Sequence, residues 1–75
     1  MRPLQVRLGS VVQRLRRAAG LSQEVFADRA QMHRTYIGAV ERGEKNLSLT
    51  NLERIAHTLG LRPSQLLGEA ELDTE

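Results

Sequence analysis

The chain has 75 residues, no cysteine and only two aromatic side chains, one tyrosine and one phenylalanine. That length suits one small domain with a modest core, and the missing thiols exclude a disulfide framework, a cysteine nucleophile and a cysteine-type zinc site. The net charge of +2 hides an asymmetry: residues 1–62 hold all eleven Lys and Arg against five Asp and Glu, leaving +6, whereas residues 63–75 hold four carboxylates and no base, or −4.

A basic body of this kind suits a polyanion partner, with a solvated surface and a frayed acidic tail as the plainer reading. No apolar run approaches a membrane span, and the N-terminus lacks the apolar core of a signal peptide. A cytoplasmic protein with no membrane partner is therefore expected. A domain this small would gain from tight helix packing or dimerisation.

Pro3 to Ala19 reads as the first helix, because Leu4, Leu8, Val11 and Leu15 recur at helical spacing with Val12 beside them. Pro3 suits the first helical position. A rival start is the capping box Ser10-x-x-Gln13, but the stripe runs unbroken through Leu8. Gly20 ends the helix, and Arg14, Arg16 and Arg17 crowd its last turns, where cations favour the negative end of the dipole.

Ser22 to Arg42 then reads as two short helices joined by a tight turn. The second helix is Gln23–Ala30, with Ser22 as its N-cap. The third is Arg34–Arg42, with Gly43 placed to close it in a left-handed conformation. Phe26, Ala30, Met32, Ile37 and Val40 form one inward set, and Ala27 is small where the two helices must meet. This is the packing pattern of a helix-turn-helix. Arg34, Thr35, Tyr36, Gly38 and Ala39 are left facing outward at the start of the third helix, the end that enters a DNA major groove in this motif.

Residues 43–47 form a loop. Ser48 is a plausible N-cap for a fourth helix, Leu49–Leu59, whose apolar face is Leu52, Ile55, Ala56 and Leu59 and which Gly60 closes. The fifth helix starts with Pro63 in its first turn and runs to about Glu69, with Leu66 and Leu67 apolar. Residues 69–75 read as a frayed acidic end, although Leu72 could extend the helix. The domain is thus taken as residues 1–69, with residues 70–75 as an acidic tail. Nothing repeats, no segment is of low complexity and no strand alternation occurs. The expected fold is all-α, a compact five-helix domain.

The stretches LSQEVFADRA, HRTYIGAVERGEKNLSL and NLERIAHTLGL resemble the Xre/Cro-like helix-turn-helix DNA-binding proteins of the phage-repressor type. Within them, HRTYIGAVERGEKNLSLTNLERIAHTLG is especially similar to the controller proteins of restriction–modification systems. The likeness covers about residues 8–67. One departure stands out: the turn position held by Gln31 is usually glycine in the family, and glutamine pays strain at positive φ. The resemblance also implies that Arg16 pairs with Glu41 to tie the first helix to the third.

Arg34, at the N-terminal end of the third helix, is the strongest candidate to read bases, because a guanidinium donates two bonds to guanine O6 and N7. A phosphate contact or an ion pair to Glu24 is the alternative. Thr35 can bond a base edge or a phosphate and pack its methyl on thymine. The resemblance implies that the Arg34–Thr35–Tyr36 run faces DNA, with buried packing as the other reading of Tyr36. Gly38 and Ala39 are small enough to let the helix sit close to the bases, so Ala39 joins the base-reading set and DNA shape carries some of the specificity.

Gln23 stands at a helix N-terminus suited to phosphate, and the resemblance implies a phosphate-binding glutamine there. Arg42, Lys45, Asn46 and Asn51 are read as phosphate clamps that fix register without carrying sequence information, Asn46 having loop capping as its alternative. His33 precedes the third helix near the DNA backbone. His33 and His57 have no paired ligand spacing, so no metal and no cofactor are expected. No nucleophile–base arrangement or phosphate loop is present, so neither an enzyme nor a small-molecule substrate is expected.

Leu61, Leu66, Leu67 and Leu72 are more apolar surface than a chain end needs, unless they only close the core. The resemblance implies dimers that use the fourth and fifth helices. The expected function is a homodimeric, sequence-specific transcriptional regulator of palindromic DNA operators, a controller acting as both activator and repressor. Two dimers on DNA and RNA polymerase are possible further partners. A phage-type repressor, a toxin-neutralising antitoxin, or an interaction module that binds no DNA are the alternatives.

Overall fold

In the computed structural model, which describes residues 1–73, the apolar stripes become five helices. They are α1 (Leu4–Ala18), α2 (Gln23–Arg29), α3 (Arg34–Glu41), α4 (Leu49–Thr58) and α5 (Pro63–Leu72). No strand occurs among the described residues. The all-α, five-helix expectation is met. No helix among them is long and apolar enough to cross a membrane.

One core takes a side of every helix. Val11 and Val12 of α1, Phe26 of α2, Ile37 of α3, Ile55 of α4 and Leu66 of α5 are all fully buried. Each such side chain contributes about 1.5–3 kcal/mol relative to exposure. α1 is the central element, packing on both α5 and α3, while α2 packs on α3 and α4 on α5. The closest approach is at Gly9: a Cβ there would lie 2.9 Å from the Glu41 carbonyl oxygen and collide with that of Val40. Gly9 therefore sets how near α1 comes to the C-terminal turn of α3.

The helix ends follow local chemistry. Ser22 Oγ accepts from Val25 N at 3.1 Å, and Ser48 Oγ accepts from Asn51 N at 3.1 Å. Gly43 has φ +76°, and any Cβ there would meet Val6 at 2.7 Å. Gln31 adopts φ 59°, so the turn between α2 and α3 is left-handed at a non-glycine residue. Pro3 is the N-cap of α1 rather than its first helical residue, and the helix runs straight through Ser10. The later start at Ser10 is thereby excluded.

The end of α5 corrects the sequence reading. The helix continues past Glu69 to Leu72, Ala70 is fully buried, and only Thr74 and Glu75 of the acidic tail lie outside the described residues. Carboxylates at a helix C-terminus oppose the dipole, but here α1 and the residues before it supply cations. Arg14 pairs with Glu69 at 3.5 Å, Arg2 with Asp73 at 3.3 Å, and Arg7 donates to the Ala70 carbonyl at 3.2 Å. Part of the charge asymmetry is thus satisfied within the molecule, and Arg2 and Arg14 serve the fold.

Candidate nucleic-acid interface

The C-terminal end of α3 is held from behind by a buried polar cluster. Arg16 Nε donates to Glu41 Oε2 at 2.6 Å and its NH2 donates to Oε1 at 3.0 Å. The same Oε1 accepts from Gln23 Nε2 at 2.9 Å, and Arg16 NH1 donates to the Leu21 carbonyl at 2.8 Å. The pair is nearly sealed, with side-chain exposures of 7% and 1%. Hydrogen bonding to Glu41 holds the Arg16 guanidinium above its ordinary pKa, against the opposing effect of burial. One carboxylate therefore ties α1, α2 and α3 together, which a two-point charge-assisted pair does with defined geometry.

In front of this cluster lies a continuous surface made of three adjoining hollows. The first is lined by Arg16, Arg17, Ser22, Gln23, Glu24 and Arg34. The second joins Gln23, Arg34, Thr35, Gly38 and Arg42. The third joins His33, Thr35, Tyr36, Ala39, Arg42, Glu44 and Lys45. Arg34 and Thr35 are exposed at its centre. No ion pair joins Arg34 to Glu24 among the described residues. His33 is exposed as the N-cap of α3, without a side-chain cap bond.

Several residues sit differently from their sequence reading. Gly38 and Ala39 do not face outward; both are buried, Ala39 with 6% exposure, and they form the floor of the surface. Neighbouring Arg42 roofs Gly38, its NH1 lying 3.2 Å from where a Cβ would stand. Asn51 Nδ2 donates to the Tyr36 hydroxyl at 3.0 Å, so this amide braces α3 against α4. Lys45 Nζ stands 5.9 Å from the Tyr36 ring centroid, within cation–π range. Asn46 is exposed but faces a different hollow, with Leu4, Gln5, Leu8, Lys45, Leu47, Leu49, Leu52 and Leu67. Leu66 is fully buried in the core and offers no surface to a partner. Leu61 and Leu67 are half-buried against the core, and Leu72 is 76% exposed.

Two features were missed in the sequence. Arg42 pairs with Glu44, Nε to Oε2 at 2.9 Å and NH2 to Oε1 at 3.3 Å. This pairing raises the Arg42 pKa and holds the Glu44 carboxyl below the usual carboxylate range. The only signal was the Arg-Gly-Glu spacing across a left-handed turn. Leu49, 82% exposed in the first turn of α4, gave no signal, because its spacing matches the buried stripe.

A family model described as helix-turn-helix matches residues 12–66. The chain is 39% identical over 72 residues to control protein C.MunI from Mycoplasma sp, covering 95% of this chain and 97% of that protein. It is 40% identical over 65 residues to control protein C.BamHI from Bacillus amyloliquefaciens, covering 85% and 80% respectively. Among solved structures, the restriction-modification controller protein C.AhdI from Aeromonas hydrophila is similar at a TM-score of 0.79 and 42% identity, covering 83% of this chain and 94% of that one.

Proposed function

This chain belongs to the helix-turn-helix family of DNA-binding transcriptional regulators, and we propose that within it the protein is a restriction–modification controller that binds a palindromic operator as a homodimer. The observation that carries the reading is Arg34 with Thr35, exposed at the N-terminus of a helix whose other end is locked by Arg16, Glu41 and Gln23. In this motif that helix end enters the major groove. Arg34 donates to a guanine edge, Thr35 bonds a base or packs on thymine, and Tyr36 reaches the neighbouring base or backbone. Ala39 lets the helix approach closely, as a floor rather than a protruding contact.

Around them, Arg42 and Lys45 neutralise phosphates, Gln23 and His33 hydrogen-bond to them, and together they set register. Asn46 serves from the flank, and Asn51 acts chiefly by holding Tyr36. A second copy docks through the apolar surface of α4 and α5, with Leu61, Leu67 and Leu72 contributing and Leu49 lining the same groove as Leu67. The two-fold axis then sets recognition helices about 34 Å apart, in successive major grooves. One dimer activates by helping RNA polymerase bind, and a second, at higher concentration, blocks it. The protein acts in the cytoplasm and carries out no catalysis.

In-vitro selection from random duplex DNA at moderate salt tests this reading, because indiscriminate phosphate binding falls steeply with salt. Enrichment of a palindrome with half-sites about one helical turn apart supports it. Failure to enrich any sequence, with the protein folded, replaces it with a protein-interaction role.

A further inference from the structure

Glu44 is a carboxylate placed on the surface that DNA would approach. It lines the same hollow as Thr35, Tyr36, Ala39, Arg42 and Lys45. Its two oxygens occupy Nε and NH2 of Arg42 at 2.9 and 3.3 Å. Those two donors form the edge with which a guanidinium grips a phosphate. The pair is built on a fixed turn. Glu44 N donates to the Ala39 carbonyl at 2.9 Å, Gly43 N to that of Val40 at 3.0 Å, and the Gly43 carbonyl accepts from Gln5 Nε2 at 2.9 Å. Side-chain exposures of 59% and 56% mean that the pair can open without unburying either group, and exposed pairs of this kind are weak.

The geometry points to Glu44 as a specificity-determining residue that keeps Arg42 from gripping phosphate indiscriminately and yields it only to a duplex docked in register. The inference rests on the reading of Arg42 as a phosphate contact. A loosely bound duplex meets a pair of no net charge and gains less from Arg42 than from an arginine without Glu44 beside it. A duplex seated on Arg34 and Thr35 brings a phosphate close enough to displace the carboxylate. The pair therefore withholds one counterion-releasing contact from non-specific complexes while leaving it available at the operator.

The test is a salt titration of binding to a short random-sequence duplex and to a selected operator duplex. It compares the parent protein, Glu44→Gln, Arg42→Ala, the double variant and Glu71→Gln. Glu71 is exposed on α5, so its substitution matches the charge change away from this surface. Glu44→Gln is expected to bind the random duplex more tightly than Glu71→Gln does, with the slope of log affinity against log salt steeper by about 0.9. Its gain on the operator is expected to be smaller, and both gains should vanish in the Arg42→Ala background. Behaviour like that of Glu71→Gln, weaker binding, or equal gains on both duplexes overturns the inference. An Arg42→Ala variant with unchanged affinity and slope removes instead the phosphate reading of Arg42 itself.

Discussion

Arg16 and Glu41, twenty-five residues apart in the chain, meet at 2.6 and 3.0 Å in a nearly solvent-free two-point pair that also accepts Gln23. Removing one member leaves the other charge buried without its counter-charge, with only Gln23 beside Glu41 or the Leu21 carbonyl beside Arg16, which costs about 3–5 kcal/mol. Glu41→Ala is therefore expected to lower the thermal midpoint substantially, and Arg16→Ala to do the same. The double variant should lose less than the sum of the two. Circular-dichroism melts of the three proteins measure this, and an unchanged melting curve for Glu41→Ala would contradict it.

Gly9 gives a steric counterpart. A methyl group there meets the backbone of Val40 and Glu41, which cannot swing aside as a flexible side chain would. Gly9→Ala should destabilise the protein by about 1–3 kcal/mol, as overpacking a close helix contact does. Chemical denaturation measures the loss.

The left-handed turn works in the other direction. Gln31 holds φ 59°, a conformation that glycine adopts without the penalty of a Cβ. Relief of that strain outweighs the extra chain entropy of glycine, so Gln31→Gly is expected to stabilise the protein by about 0.5–1 kcal/mol. A lower denaturation midpoint in the variant would show that Gln31 makes compensating contacts.

Acid titration reports on Arg42 and Glu44. The folded carboxyl titrates below its unfolded value because Arg42 donates to it. The pair's contribution to stability is therefore present above the unfolded pKa of Glu44 and is lost as pH falls through the folded one. By NMR, the Glu44 midpoint should lie below that of an ordinary glutamate and move upward in Arg42→Ala. A midpoint indifferent to that substitution would mean that the pair does not persist in solution.

Local chemistry made most of the fold legible. Ser22 and Ser48 announced their helices, the stripe of α1 outweighed the rival start at Ser10, and Gly43 marked the end of α3. The Arg16–Glu41 tie was visible only through family resemblance, since nothing in the spacing of two such distant residues pairs them. What stayed hidden depended on tertiary neighbours. The extension of α5 buries Ala70 and meets Arg2, Arg7 and Arg14, which reach it across 71, 63 and 55 residues. Leu66 reads like Leu67 in sequence, yet only the former is fully buried. Asn51 and Arg42 looked free to clamp phosphate because their partners Tyr36 and Glu44 lie across a turn or on another helix.

Binding of the parent and Arg34→Ala to a selected operator and its single-base variants tests the proposed base reading by Arg34 most directly. The variant is expected to stay folded, still bind DNA, and lose roughly 1–3 kcal/mol of discrimination at one base pair per half-site. A folded Arg34→Ala protein that discriminates at every position as the parent does would contradict it.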